Sequence, residues 1–291
     1  MIKIIDKIQM NEFDFLVFFV DLIYMLFAII ACKHFSNYFS NFKFEELIKN
    51  KKDETGVILA CSFIFFIVLI TSNILHHEMH ESFFNGLLSI AAYTLLMLLV
   101  MLSRKPISLV NVTPDFMLVQ NAENNKSSQL YEASCFISSA ITLSSIIYYF
   151  YELSLSSIFL LCIAIEFFLE LIIKLMMILN SSNLKEAITT NNLRSICSIG
   201  YFRIHISLIL TASACLVELT EDNGFSILIS WLLISTTLFF MTTCIMFLLE
   251  KLLFRNFYKI YIFHVNVDVK HIIARFLLSL GLDIAMIILL N

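Results

Sequence analysis

The sequence is poor in the residues that make turns and solvated surfaces. Of 291 residues only 5 are Gly and 2 are Pro, too few for the many turns of a β-barrel or for Pro/Gly-rich disorder. Charged residues make up 14%, whereas soluble domains carry about a quarter. A net charge of −4, without a basic stripe longer than a few residues, excludes electrostatic capture of nucleic acid. The seven cysteines (Cys32, Cys61, Cys135, Cys162, Cys197, Cys215 and Cys244) are odd in number and lack metal-ligand spacing. They read as reduced packing residues rather than a disulfide frame. Gly-rich nucleotide loops, G-x-S-x-G, HExxH and paired CxxC are all missing, so neither an enzyme nor a cofactor is expected.

What is abundant is apolar: 59% of residues are hydrophobic and the mean hydropathy is +0.88. A helix crossing a bilayer needs about 20 apolar residues. Eight runs qualify, near 13–32, 57–75, 83–102, 133–151, 157–179, 195–217, 225–249 and 271–290. Because hydrocarbon offers no hydrogen-bond partners, each run must close its own backbone as a helix. The expected fold class is therefore an all-α polytopic membrane protein with eight transmembrane helices.

The connections alternate in charge. "HHEMHES" (76–82), "ELSLSS" (152–157) and "ELTEDNG" (218–224) hold no Lys or Arg. Of the 19 Lys and Arg, only Lys3 and Lys7 fall outside the opposite set of connections and their flanking helix ends. The positive-inside rule puts that basic set in the cytoplasm and both termini outside. A cleavable signal peptide is not expected, because the first apolar run leads into "CKHFSNYF" without a small-residue cleavage site.

A fourfold repeat underlies this alternation. "TGVILACSF" (55–63), "SQLYEASCF" (128–136), "NLRSICSIG" (192–200) and "VKHIIARFL" (269–277) align on Ala60, Ala133, Cys197 and Ala274. Polar runs, "LIKNKKDE", "VQNAENNK" and "KEAITTNN", precede the first three. The chain thus reads as four helical hairpins of one orientation, related about an axis along the membrane normal. They group into two four-helix halves, residues 1–152 and 153–291. Aromatic, charged connections such as "HFSNYFSNFKFEELIK" and "LLFRNFYKIYIF" read as cytoplasmic helical extensions. In "ELIKNKKDETGVILACSF" and "MLVQNAENNKSSQLYEASCF" a polar, Asn-containing run enters an Ala-containing return helix. These stretches resemble the domain-of-unknown-function 350 family, the YjfL-like multi-pass proteins of the bacterial inner membrane. The resemblance implies two tandem four-helix copies and an inner-membrane location, and it brings no activity.

Ionisable groups inside a span cost at least ~2.5–3.5 kcal/mol each, so they face partners or water. Counted inward from the cytoplasmic boundaries, Asp21, Glu166 and Asp283 lie 11, 13 and 12 residues deep, with His205 at 10. Glu170 and Arg203 lie at 9 and 8, and Lys174 is one turn from Glu170. Glu170, Lys174 and Arg203 read as structural ion pairs. Asp21, Glu166 and Asp283, with His205, read as a candidate site for a cation or proton. Ser134, Ser138, Thr142 and Ser145 share one helix face, which suits either close helix contact or a pore wall, with packing the preferred reading because small residues bring membrane helices together.

In "HHEMHES", His76 and His80, and His77 and Glu81, are spaced i, i+4. On a helix these pairs could chelate Zn²⁺; on a loop they are solvated side chains. Two functions remain open at this level. One is a pore or transporter for a cation, proton or small solute. The other is a non-transporting scaffold that recruits a cytoplasmic protein through residues 35–54 or 252–264. The candidate partners are the lipid bilayer, a further copy of the chain, and that cytoplasmic protein.

Overall fold

The structure, a computed structural model, describes residues 22–30, 54–78, 91–93, 95–96, 99–100, 125–179, 184–217, 224–253 and 269–290. Among these residues every regular element is a helix and no strand occurs. The helices are α1 (Glu54–Glu78), α2 (Lys126–Tyr149), α3 (Leu155–Leu179), α4 (Leu184–Thr189), α5 (Leu193–Ala214), α6 (Gly224–Leu253) and α7 (Val269–Leu290). Residues 22–30 are helical as well.

Four of these helices, α1, α2, α5 and α6, are long and apolar enough to cross a membrane. α3 matches them in length, at 25 residues, and carries Glu166, Glu170 and Lys174 along it. α1 runs through His76 and His77 to Glu78, three residues past the apolar run read from the sequence, because its carboxyl-terminal turn continues unbroken.

Burial does not follow hydropathy. α2 and α5 are the least apolar of the four spans, yet 78% of the apolar stretch of α2 is buried, against 50% for the most apolar helix, α1, and 22% for α6. When the surroundings are hydrocarbon, hydroxyls and charges gain most from the interior, which suits the burial of α2 and α5. Several of the buried hydroxyls are satisfied at home: Ser134 donates to the carbonyl of Tyr131, Ser138 to Cys135 and Thr142 to Ser138. Each bond closes on the preceding turn of the same helix.

α1, α2 and α5 stand side by side, and α2 packs extensively against both neighbours. They run parallel. Thr55 near the start of α1 bonds Gln129 near the start of α2, and Asn73 near the end of α1 bonds Ser144 near the end of α2. Between these ends Phe63 and Phe66 meet Phe136 edge-on, with ring centroids 5.2 and 6.0 Å apart. α5 follows the same direction along α2, since Ser127 bonds Asn191 just before α5 and Ser138 bonds Arg203 inside it. α6 runs antiparallel to α5: Phe202 meets Phe239, whereas Leu210 and Ser213 meet Trp231.

Two Asn-rich stretches set the starts of α2 and α5. Asn125 caps α2 by accepting from the amide of Ser128, and Asn192 caps α5 by accepting from that of Ser195. Asn125 also donates to the Ile188 carbonyl at 2.9 Å, while Asn191 accepts from the Ser127 amide at 3.0 Å. Asn191 holds φ at 51°, a left-handed conformation that Asn tolerates better than most residues. The two polar runs are thereby clasped together at one level of the bundle. One buried apolar cluster, including Phe63, Phe136, Phe150, Ile165, Phe202 and Trp231, draws on residues from both sides of position 152.

Candidate functional site

Arg203 and His205 are two residues apart on α5 and so point about 200° apart around it. They organise two different polar clusters. α5 is the shared wall between them.

On one side, Arg203 reaches α2 and α3. Its side chain is fully buried, as are those of Glu166 and Glu170, which share a face of α3 through their i, i+4 spacing. The guanidinium Nη1 pairs closely with Glu170 Oε1. Nη2 lies 3.5 Å from Glu166 Oε2, and Nε donates to Ser138 Oγ on α2 at 2.7 Å. Ser138 in turn donates to the Cys135 carbonyl. Tyr131 and Cys135 of α2 lie near the guanidinium. Glu166 Oε1 and Arg203 Nη2 are buried with no hydrogen-bond partner among the described residues.

On the other side, His205 Nδ1 and Asp283 Oδ2 on α7 are hydrogen-bonded at 2.7 Å. Asp283 is fully buried and His205 nearly so. The imidazole is stacked on Tyr201, with centroids 6.1 Å apart at 23°, and flanked by Phe239 at 6.4 Å. Asp283 Oδ1 is buried and has no hydrogen-bond partner among the described residues. This half of the site is a buried carboxylate–imidazole couple with one oxygen unpartnered among the described residues.

The grouping by depth is thus only in part the grouping in space: Asp283 does meet His205, and Glu170 does meet Arg203. Glu166, placed by residue counting beside Asp283, faces Arg203 together with Glu170. Asp283 faces His205. Lys174 is exposed on α3, and Glu170 pairs with Arg203. Asp21 lies outside the described residues, as do His80 and Glu81 and the side chains of His76 and His77. Among the described residues no three His, Cys, Asp or Glu side chains gather in a group that could hold a metal ion.

Two features of the site escape the sequence reading. Ser138 belongs to the serine face assigned to packing, yet it also accepts from Arg203. Gly200 is the contact point of α5 with α2, where a Cβ would stand 2.8 Å from Ser134 Cβ. A lone Gly among the small residues "SICSIG" was the available signal, since small residues bring membrane helices into close contact. No known protein family, curated protein or solved structure matches the chain. The resemblance to the domain-of-unknown-function 350 family rests on the quoted stretches alone.

Proposed function

We propose that the chain is an eight-span inner-membrane protein that moves a proton or a small cation across the bilayer, with His205 and Asp283 at its exchange centre. The observation that carries this reading is the buried His205–Asp283 bond with Asp283 Oδ1 unpartnered among the described residues. A carboxylate in a span is costly unless its charge is met. Here one oxygen is held by the imidazole, and the other is available to a proton or a cation. The imidazole accepts or releases a proton with little change of geometry, a property suited to relays. Asp21, at comparable depth by residue count, is the further acid assigned to this function, whereas Glu166 lies against Arg203 on the other side of α5.

The parallel run of α1, α2 and α5 supports four repeated units of one orientation. Bonded partners stand at similar offsets from the aligned anchors: Arg203 is six residues past Cys197, and Ser138 five past Ala133. His205 and Asp283 follow suit, eight residues past Cys197 and nine past Ala274. A conduit in such an arrangement lies along the membrane normal, and both termini lie outside the cytoplasm.

Flux measured in proteoliposomes tests the function. Wild-type protein under a pH or cation gradient is expected to dissipate it, and Asp283→Asn or His205→Gln to slow this at least about tenfold, a barrier change of about 1.4 kcal/mol. Wild-type vesicles as tight as empty ones would instead point to the scaffold. Its signature is loss of partner capture when residues 35–54 or 252–264 are altered.

A further inference from the structure

The geometry around Asp283 discriminates between a proton and a metal cation. His205 Nδ1 and Asp283 Oδ2 stand 2.7 Å apart, the separation of a direct N–H···O hydrogen bond. A tetrahedral ion such as Zn²⁺, bound at about 2.0–2.2 Å by each atom, would hold them roughly 3.3 Å apart. Hard cations ask for more ligands, since Mg²⁺ and Ca²⁺ take about six or more. The described walls of the site are poor in oxygen. α5 brings the ring of Tyr201 and α6 that of Phe239, with centroids 6.1 and 6.4 Å from the imidazole. α7 adds Ser279, one turn before Asp283, as its other buried polar residue among those described. Counting Asp21, which lies outside the described residues, the carboxylates assigned to the centre number two. Asp283 Oδ1 is itself buried, so a cation carrying its water shell does not reach it. Other charges stand off. Arg203 faces Glu166 and Glu170, and Glu250 and Lys251 of α6 are eleven and twelve residues from Phe239. Arg275 and His271 precede Asp283 by eight and twelve residues, roughly 12 and 18 Å along the axis; their side chains lie outside the described residues.

We infer that the His205–Asp283 centre takes a proton and excludes metal cations. This specificity rests on the transport reading above and narrows its substrate. A proton displaces no atom and needs a single lone pair, which a closed, hydrogen-bonded couple supplies. The transfer within the couple is balanced. As the N–H bond at Nδ1 breaks, an O–H bond forms at Oδ2, and an imidazolium–carboxylate pair becomes an imidazole and a carboxylic acid. Neither form carries net charge, so the step adds none to a buried site where unmet charge is costly.

Proteoliposomes holding the full-length protein separate the two kinds of ion. In one arm a pH gradient is imposed with N-methylglucamine as the sole added cation and thiocyanate as a permeant anion to balance charge. In the other, pH is equal on both sides and uptake of tracer Na⁺, K⁺, Mg²⁺ or Zn²⁺ is followed. The pH gradient is expected to collapse without any metal cation, and Asp283→Asn to slow this at least about tenfold. Tracer uptake is expected to match that of empty vesicles. Tracer uptake that Asp283→Asn abolishes overturns the proton specificity and leaves transport at this centre standing, as does a pH collapse that requires one of the metal cations. Vesicles tight to every ion overturn the transport reading itself, and the specificity with it. If Asp283→Asn fails to fold, the comparison of the two arms in wild type alone decides.

Discussion

Gly200 and Ser134 hold α5 and α2 at a separation that no side chain larger than hydrogen permits. A Cβ at position 200 would stand 2.8 Å from Ser134 Cβ and 3.0 Å from its Oγ. In an open helix Gly→Ala is stabilising by roughly 1 kcal/mol. Here the sign reverses, since the obstacle is a Cβ fixed to the facing backbone. Gly200→Ala is expected to destabilise by about 1–3 kcal/mol, the usual cost of overpacking. Ser134→Gly in the same chain should recover part of that loss. Thermal unfolding in detergent, followed by emission from Trp231, the sole Trp of the sequence, checks both.

Arg203 should be the most sensitive single position in the bundle. Arg203→Met leaves two buried acids without their cation, and breaking a buried pair in this way costs about 3–5 kcal/mol. Neutralising the acids removes the reason for the loss. The triple variant Arg203→Met, Glu166→Gln, Glu170→Gln is expected to recover most of the stability, because an uncharged network needs no counter-charge. Yield of monodisperse protein after size exclusion, with the unfolding midpoint, separates the two variants. Equal damage in both would mean that Arg203 acts through packing volume.

Much of this arrangement was visible in the residues, and the exceptions share a cause. Helicity, the pairing of Glu170 with Arg203 and the inward serine face of α2 all follow from periodicity and from the cost of charge in hydrocarbon. The partner of Glu166 does not, although His205 was already grouped with Asp283. Depth counting assumes upright helices of equal rise, while tilt displaces residues along the normal. A guanidinium on a long stem also spans more than one helical turn, so Arg203 meets both Glu166 and Glu170. Which face of α5 meets which neighbour is fixed by close contacts such as Gly200 on Ser134. No count along one helix contains that information.

The parallel course of α1 and α2 predicts a cross-linking pattern. In a Cys-free background, Cys pairs at 55/129 and at 73/144 should each form a disulfide, because Thr55 bonds Gln129 and Asn73 bonds Ser144. The exchanged pairs 55/144 and 73/129 should not. They would lie near opposite ends of helices about 1.5 Å long per residue, far beyond the roughly 7 Å Cα separation that a disulfide spans. Gel mobility with and without reductant reads the result. Cross-linking of the exchanged pairs would mean antiparallel helices and would remove the shared orientation of the repeats.

His205 and Asp283 join α5 to α7 by a bond of 2.7 Å in a buried setting. Hydrogen bonds that involve a charged group contribute about 1.5–3 kcal/mol, and groups in direct contact couple by about 0.5–3 kcal/mol in double-mutant cycles. The cycle built from His205→Gln, Asp283→Asn and the double variant should therefore show a coupling energy in that range, measured by the Trp231 unfolding midpoint. The indole is a suitable reporter because its Nε1 donates to the Leu210 carbonyl and to Ser213 Oγ, both on α5. Loosening of α5 then changes its environment. Coupling also has a functional side: if the pair exchanges a proton as a unit, the double variant should be no slower in flux than the worse single one. Independent, additive losses in stability and flux would separate His205 from Asp283, and the exchange centre would reduce to one lone carboxyl group.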